Sequence, residues 1–150
     1  MARKLRVGFV GLGRVFDLNL RGYLGHPEAE IAALCESDAA LLARRAGEHP
    51  NARATRDFDE MLRLDLDLIE ILTPHPLHEA MTKAALPAGA DVSVQKPMAM
   101  TLEECDRMIV AANSSGKRLK VFENFLFYPP LVRARNCCAK GRSASRCTSV

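Results

Sequence analysis

The chain has 150 residues, 48% hydrophobic and 26% charged, with a formal net charge of +3. That composition is globular and long enough to bury a real core, and no apolar run approaches the roughly 20 residues of a membrane span. The charge excess forms no basic stripe interleaved with aromatics, which argues against nucleic acid and membrane partners.

Met1-Ala2-Arg3-Lys4 leads straight into a strand-like run without a signal-peptide core, so the expected compartment is the cytoplasm. Leu5–Val10 (LRVGFV) reads as a buried strand. Residues 13–25 read as a helix ending near Gly25 and Pro27, and Ile31–Cys35 as a second strand. Ser37 or Asp38 can cap a helix running to Gly47. Asn51–Arg56 is a weak strand or loop, and Asp57 can cap a short helix over 58–63. Leu68–Leu72 is a fourth strand stopped by Thr73-Pro74, with a helix over 76–87 behind it. Asp91–Val94 is a fifth strand. Thr101–Ser115 is a helix with a capping-box pattern, Thr101 followed by Glu104. Lys120–Phe122 is a sixth strand, and a last helix starts after Pro129-Pro130. Met98, Met100 and Met108 read as core, and Phe122, Phe125, Phe127 and Tyr128 as packing residues.

Strand followed by helix, repeated at short intervals, requires an α/β fold with a doubly wound parallel sheet. In such a sheet the first strand-to-helix turn lies at the carboxyl edge, near the point where strand order reverses. That turn here is VGFVGLGRVF, residues 7–16. Gly11 permits a tight turn, and Gly13 lets a pyrophosphate approach the backbone. The following residues, Arg14 and Val15, open the helix, whose free N–H groups suit phosphate. Phe16 stands where a third small residue is usual; it should push the helix outward or point elsewhere. Glu36 ends the second strand, where an acid binds the adenosine ribose hydroxyls and repels a 2′-phosphate. The expected cofactor is therefore NAD rather than NADP.

Two further stretches, ILTPHPLHEAMTKAALPAGADVSVQKPMAMTLEE (71–104) and VFENFLFYPP (121–130), extend the pattern. From about residue 5 to 135 the chain resembles the N-terminal half of the Gfo/Idh/MocA oxidoreductases. Their motifs are a Gly-x-Gly turn, Thr-Pro-x-x-x-His, Ala-Gly-x-x-Val, Glu-Lys-Pro and an Asn-containing segment near a proline. The resemblance implies a Rossmann domain binding NAD(H), and hydride transfer to or from a sugar, cyclitol or related polyol. It gives Lys96 the catalytic role of holding a ribose or substrate hydroxyl and polarising the oxygen that exchanges a proton. It also implies a cis Lys96–Pro97 bond. Gln95 replaces the usual Glu, and can hydrogen-bond but not support Lys96 by charge. Thr73 and Pro74 would floor the nicotinamide site. His78 would contact the cofactor or cap the next helix, and Asn124 would bond the nicotinamide ribose or brace its loop. His75 reads as a loop residue. No metal site is expected.

The family's second, substrate domain is absent from these residues, so a stand-alone nucleotide-binding module or a truncated product without turnover are the alternatives; an oligomer is possible. The sequence divides into 1–135, the NAD-binding domain, and 136–150, an aberrant or disordered tail. There the apolar periodicity stops and Cys137, Cys138 and Cys147 crowd in. Reading the two adjacent Cys codons one base earlier gives x-T-G twice, which encodes Leu, Met or Val and continues the helix. A frameshift is one reading of the tail and a natural, poorly ordered C-terminus the other. The five cysteines show neither zinc nor Cys-x-x-Cys spacing, and free thiols are expected.

Overall fold

A computed structural model describes residues 3–123 and 128–139. Six parallel strands form one sheet in the order β3-β2-β1-β4-β5-β6. They are β1 (Leu5–Val10), β2 (Ala29–Cys35), β3 (Arg53–Thr55), β4 (Leu68–Ile71), β5 (Asp91–Gln95) and β6 (Leu119–Phe122). The helices are α1 (Arg14–Leu20), α2 (Ala39–Glu48), α3 (Phe58–Leu62), α4 (His78–Ala85), α5 (Leu102–Ser115) and α6 (Pro129–Ala139). Strand order reverses between β1 and β4, so the carboxyl ends of these two strands flank a crevice that can admit a ligand.

Alternation along β1 builds both faces of the sheet. Val7 and Phe9 join Leu12, Phe16, Leu20, Leu34 and Leu42 beneath α1 and α2. Val10 joins Met61, Ile69, Ile71, Leu86, Val92, Val94 and Met108 beneath α3, α4 and α5. The capping expectations hold in detail. Asp38 accepts from Leu41 N–H, Asp57 accepts from Asp59 N–H, and Thr101 and Glu104 form a reciprocal capping box.

Several expectations change. Helix α1 stops at Leu20, well short of residue 25, because Gly22 and Tyr23 donate to carbonyls three residues back and tighten the chain into turns. The segment expected as helix from 76 begins as a 3₁₀ turn over His75–Leu77, where Pro76 sits, and becomes α-helical at His78. Met108 is core and Met98 is half-buried against it, but Met100 is 58% exposed. Met100 lies just before the Thr101 cap, and its N–H is taken by the Glu104 carboxylate, which holds the residue in the surface turn. Phe122 is half-buried and Tyr128 is exposed; Phe125 and Phe127 lie outside the described residues. Helix α6 crosses the division drawn at 135/136 and buries none of its residues. Cys35, Cys105 and Cys138 are free, whereas Cys137 is disulfide-bonded. Spacing motifs do not forbid that, since a disulfide needs only two sulfurs that the chain brings within reach.

The face of the sheet under α1 carries a polar group that the sequence hides. Glu70 in β4 is 2% exposed; it accepts a hydrogen bond from the Tyr23 hydroxyl, and its other oxygen has no partner within hydrogen-bond distance among the described residues. Burial pushes its carboxyl up from the ordinary range, against the pull of that hydroxyl. A groove of about 730 Å³ opens beside Tyr23. It is lined by residues at the starts of β1 and β2, so it lies toward the amino edge, away from the glycine turn.

Candidate functional site

The carboxyl edge collects the sequence-derived residues. Gly11 follows β1 with φ +85, and a Cβ there would lie 2.8–2.9 Å from the Leu72 carbonyl group and Thr73 N. The turn therefore packs directly on the chain leaving β4. Gly13 is the N-cap of α1 at an ordinary φ of −74, and a Cβ there would meet nothing within 4 Å. The space above Gly13 is open, as a backbone approached by phosphate requires. Arg14 is exposed and Val15 half-buried. Their N–H groups belong to the first helical turn and have no intrahelical acceptor.

Glu36 follows β2 and turns back to this edge. One carboxylate oxygen accepts from Leu12 N–H at 2.8 Å; the other accepts from Ser37 Oγ at 3.1 Å and Asp38 N–H at 3.2 Å. Burial pushes the Glu36 carboxyl up, but the Leu12, Asp38 and Ser37 donors outweigh it and hold it below the usual range. Glu36 thus stays ionised beside the turn, as a ribose-binding acid must. Beneath it, burial pushes the Cys35 thiol up to about 11, so Cys35 is a packing residue rather than a reactive thiol.

Phe16 neither pushes α1 outward nor reaches the turn surface. It is fully buried, edge-on to Phe9 at 5.2 Å and to His49 at 6.0 Å. Arg45 of α2 explains how this is accommodated. Its guanidinium lies 4.9 Å from the Phe16 ring centroid, donates through Nε to the Leu12 carbonyl at 3.3 Å, and pairs with Asp17 and Glu48. Sequence reasoning missed Arg45. It reads as one of two adjacent arginines on α2, and only the fold brings it to the turn.

The other half of the edge comes from β4 and β5. Thr73 is half-buried and Pro74 exposed at the end of β4. Lys96 and Pro97 are exposed at the end of β5, and their peptide bond is cis. The Gln95 side chain accepts from the backbone N–H of Lys96 at 2.9 Å. The Lys96 ammonium has no partner among the described residues. His78 presents no atom to the surface; it is fully buried, with Nε2 2.9 Å from the Thr73 carbonyl and Nδ1 3.0 Å from the Pro97 carbonyl. It does not cap α4, whose N-cap Leu77 has no side-chain bond. His75 lies in the 3₁₀ turn, exposed, its ring 5.5 Å from that of His78. Asn124 lies outside the described residues.

Three comparisons bear on this edge. A model of the Gfo/Idh/MocA oxidoreductase family, NAD-binding Rossmann fold, matches residues 5–123. The chain is 35% identical over 139 residues to 1-carboxy-3-chloro-3,4-dihydroxycyclohexa-1,5-diene dehydrogenase of Comamonas testosteroni, covering 92% of this chain and 35% of that protein. It is 31% identical over 130 residues to D-apiose dehydrogenase of Paraburkholderia graminis, covering 86% of this chain and 35% of that protein. Among solved structures, it is similar to the WlbA dehydrogenase from Bordetella pertussis in complex with NADH and UDP-GlcNAcA, at TM-score 0.91 and 27% identity, covering 96% of this chain and 42% of that one. The chain thus spans roughly a third of the length of the curated relatives it matches.

Proposed function

Because the chain belongs to the Gfo/Idh/MocA family of oxidoreductases, we propose that its NAD-binding domain serves reversible hydride transfer between the nicotinamide and a carbinol carbon of a sugar, cyclitol or related polyol. The observation that carries this reading is the meeting of Glu36 with the glycine turn: an ionised acid bonded to Leu12 N–H beside the open backbone of Gly13. These residues fit a dinucleotide. The turn would hold the pyrophosphate on backbone N–H groups, and Glu36 would accept from the adenosine ribose hydroxyls. NAD is preferred to NADP because a 2′-phosphate would face the Glu36 carboxylate. The relatives' names, which include a dihydroxycyclohexadiene dehydrogenase and a D-apiose dehydrogenase, support a cyclic diol or sugar substrate.

The nicotinamide, when bound, supplies the hydride chemistry. The chain's own residues orient and hold protons. On this reading the nicotinamide half would lie toward β4 and β5, with Thr73 and Pro74 as its floor and Lys96 beside it, its ammonium without a partner among the described residues. Lys96 holds the reacting hydroxyl by donating to its oxygen, and so lowers the cost of removing its proton. Gln95 does not touch that ammonium but fixes the backbone N–H next to it.

Isothermal titration of the chain with NAD, NADH and NADPH, followed by turnover assays on a panel of polyols, tests the reading. NAD(H) binding is expected, weaker for NADPH. Absence of NAD(H) binding overturns it. Binding without turnover on any polyol leaves a nucleotide-binding module, the second reading.

A further inference from the structure

His78 joins the two halves of the nicotinamide edge from beneath the surface. The chain leaving β4 and the chain leaving β5 each turn a carbonyl inward, Thr73 O and Pro97 O. One imidazole lies between them, at 2.9 Å and 3.0 Å, with no exposure to solvent. Carbonyls only accept, so the ring ties a segment only through a nitrogen that carries hydrogen: a neutral imidazole donates to one of the two carbonyls, and only an imidazolium donates to both. A buried carbonyl left without a donor is costly, and either segment would shift to find another. Lys96 immediately precedes one of these carbonyl residues, and Pro74 immediately follows the other. The bridge therefore sets the separation of the lysine from the floor.

The geometry points to His78 as the positioning residue for Lys96: a buried histidine that fixes the Lys96–Pro97 segment against Thr73–Pro74 and touches neither cofactor nor substrate. This rests on the functional reading above. Its consequence is that His78 bears on the nicotinamide half of the cofactor more than on the adenosine half, because Gly13 and Glu36 follow other strands, β1 and β2.

The test compares NADH with ADP-ribose, which carries only the adenosine and pyrophosphate half. Affinities for both are measured by titration calorimetry on the chain, on His78→Phe, on His78→Gln, on Lys96→Ala and on the His78→Phe/Lys96→Ala double variant. His78→Phe keeps the bulk and removes the ring donor; His78→Gln restores an amide that can donate. The NADH advantage over ADP-ribose is expected to fall about fivefold to tenfold in His78→Phe, with ADP-ribose affinity unchanged, and to recover in part in His78→Gln. Adding Lys96→Ala to His78→Phe should cost little more, since the two act through one route. Equal losses for both ligands, an unchanged ratio, or fully additive losses would each overturn the assignment. If His78→Phe does not fold, hydrogen exchange at the ring of ¹⁵N-labelled wild type decides: a solvent-protected His78 ring N–H supports the bridge, and free exchange overturns it. A wild-type chain that binds ADP-ribose but gains nothing from the nicotinamide half overturns this proposal alone. One that binds neither ligand overturns the functional reading on which it rests.

Discussion

The Arg45 guanidinium lies 4.9 Å from the centroid of the Phe16 ring. Phe16 takes the place where a small residue is usual between the first helix and the sheet, and the arginine covers its buried ring. Its Nε bond to the Leu12 carbonyl carries the same contact into the glycine turn. Reverting Phe16→Gly would therefore not restore a better fold. It would leave a void among Phe9, His49 and Arg45 and is expected to cost about 3–5 kcal/mol. Arg45→Met should cost about 1–2 kcal/mol by leaving the Leu12 carbonyl unpaired. Chemical denaturation checks both; a Phe16→Gly chain as stable as the wild type would show that the helix re-seats itself.

Glu36 is expected to set cofactor choice. Glu36→Gln keeps the size and removes the charge that repels a 2′-phosphate, so the preference for NAD over NADP should shrink about tenfold or more. Calorimetry with both cofactors measures it. Because the folded carboxyl is held below its unfolded value, its stabilising contribution is in place above the ordinary carboxylate range. It is lost as pH falls through the folded value. Glu36→Gln should flatten that acid-side loss of stability, and an unchanged acid limb in the melting profile would contradict the assignment.

Glu70 has the opposite sign. Burial raises its folded pKa, so its contribution is favourable below the unfolded carboxylate value and declines as pH rises through the folded value. Glu70→Gln keeps an oxygen for the Tyr23 hydroxyl and adds an amide donor on the side where Glu70 now has an unpartnered oxygen. The variant is expected to melt a few degrees higher near neutral pH, by roughly 1 kcal/mol, with the gain shrinking toward acid. A melting temperature unchanged at neutral pH would mean that water meets the carboxylate.

Lys96→Ala tests catalysis apart from binding. If the proposed hydride transfer holds, Lys96→Ala is expected to lower turnover by about 10²–10⁴ and to weaken NAD binding far less. Stopped-flow measurement of the hydride step against the NAD dissociation constant separates the two. Equal losses would make Lys96 a cofactor anchor only.

Much of this was legible because it is local. The alternation of strand and helix, the Asp38 and Asp57 caps and the Thr101–Glu104 box depend on neighbours a few residues apart, and periodicity reports them. The glycine turn and Glu36 were legible because each closes its own strand. What stayed hidden depends on distant partners. Arg45 reaches the turn from 33 positions away, and Glu70 sits in an apolar strand where nothing nearby announces Tyr23. No spacing rule reveals that both ring nitrogens of His78 face carbonyls of the chains leaving β4 and β5. Met100 departs from the core expectation because its backbone N–H, donating to Glu104, holds it in the capping turn while its side chain is exposed.

The two glycines of the turn should fail in different ways. At Gly11 the backbone has φ +85, which a side chain adopts only with strain, and an added Cβ would press on the Leu72 carbonyl group and Thr73 N. Gly11→Ala should therefore lower stability, by roughly 2–4 kcal/mol, and displace the floor of the nicotinamide edge. At Gly13 the φ is ordinary and the space empty. Gly13→Val should fold with a cost of only about 1 kcal/mol for the poorer N-cap, yet fill the room a pyrophosphate needs. The diagnostic result is a Gly13→Val chain with nearly native melting and NAD affinity reduced beyond measurement. If that variant binds NAD normally, the open space over Gly13 is not where phosphate lies. If Gly11→Ala melts like the wild type, the chain leaving β4 yields to it, and the tight contact between turn and floor does not constrain the site.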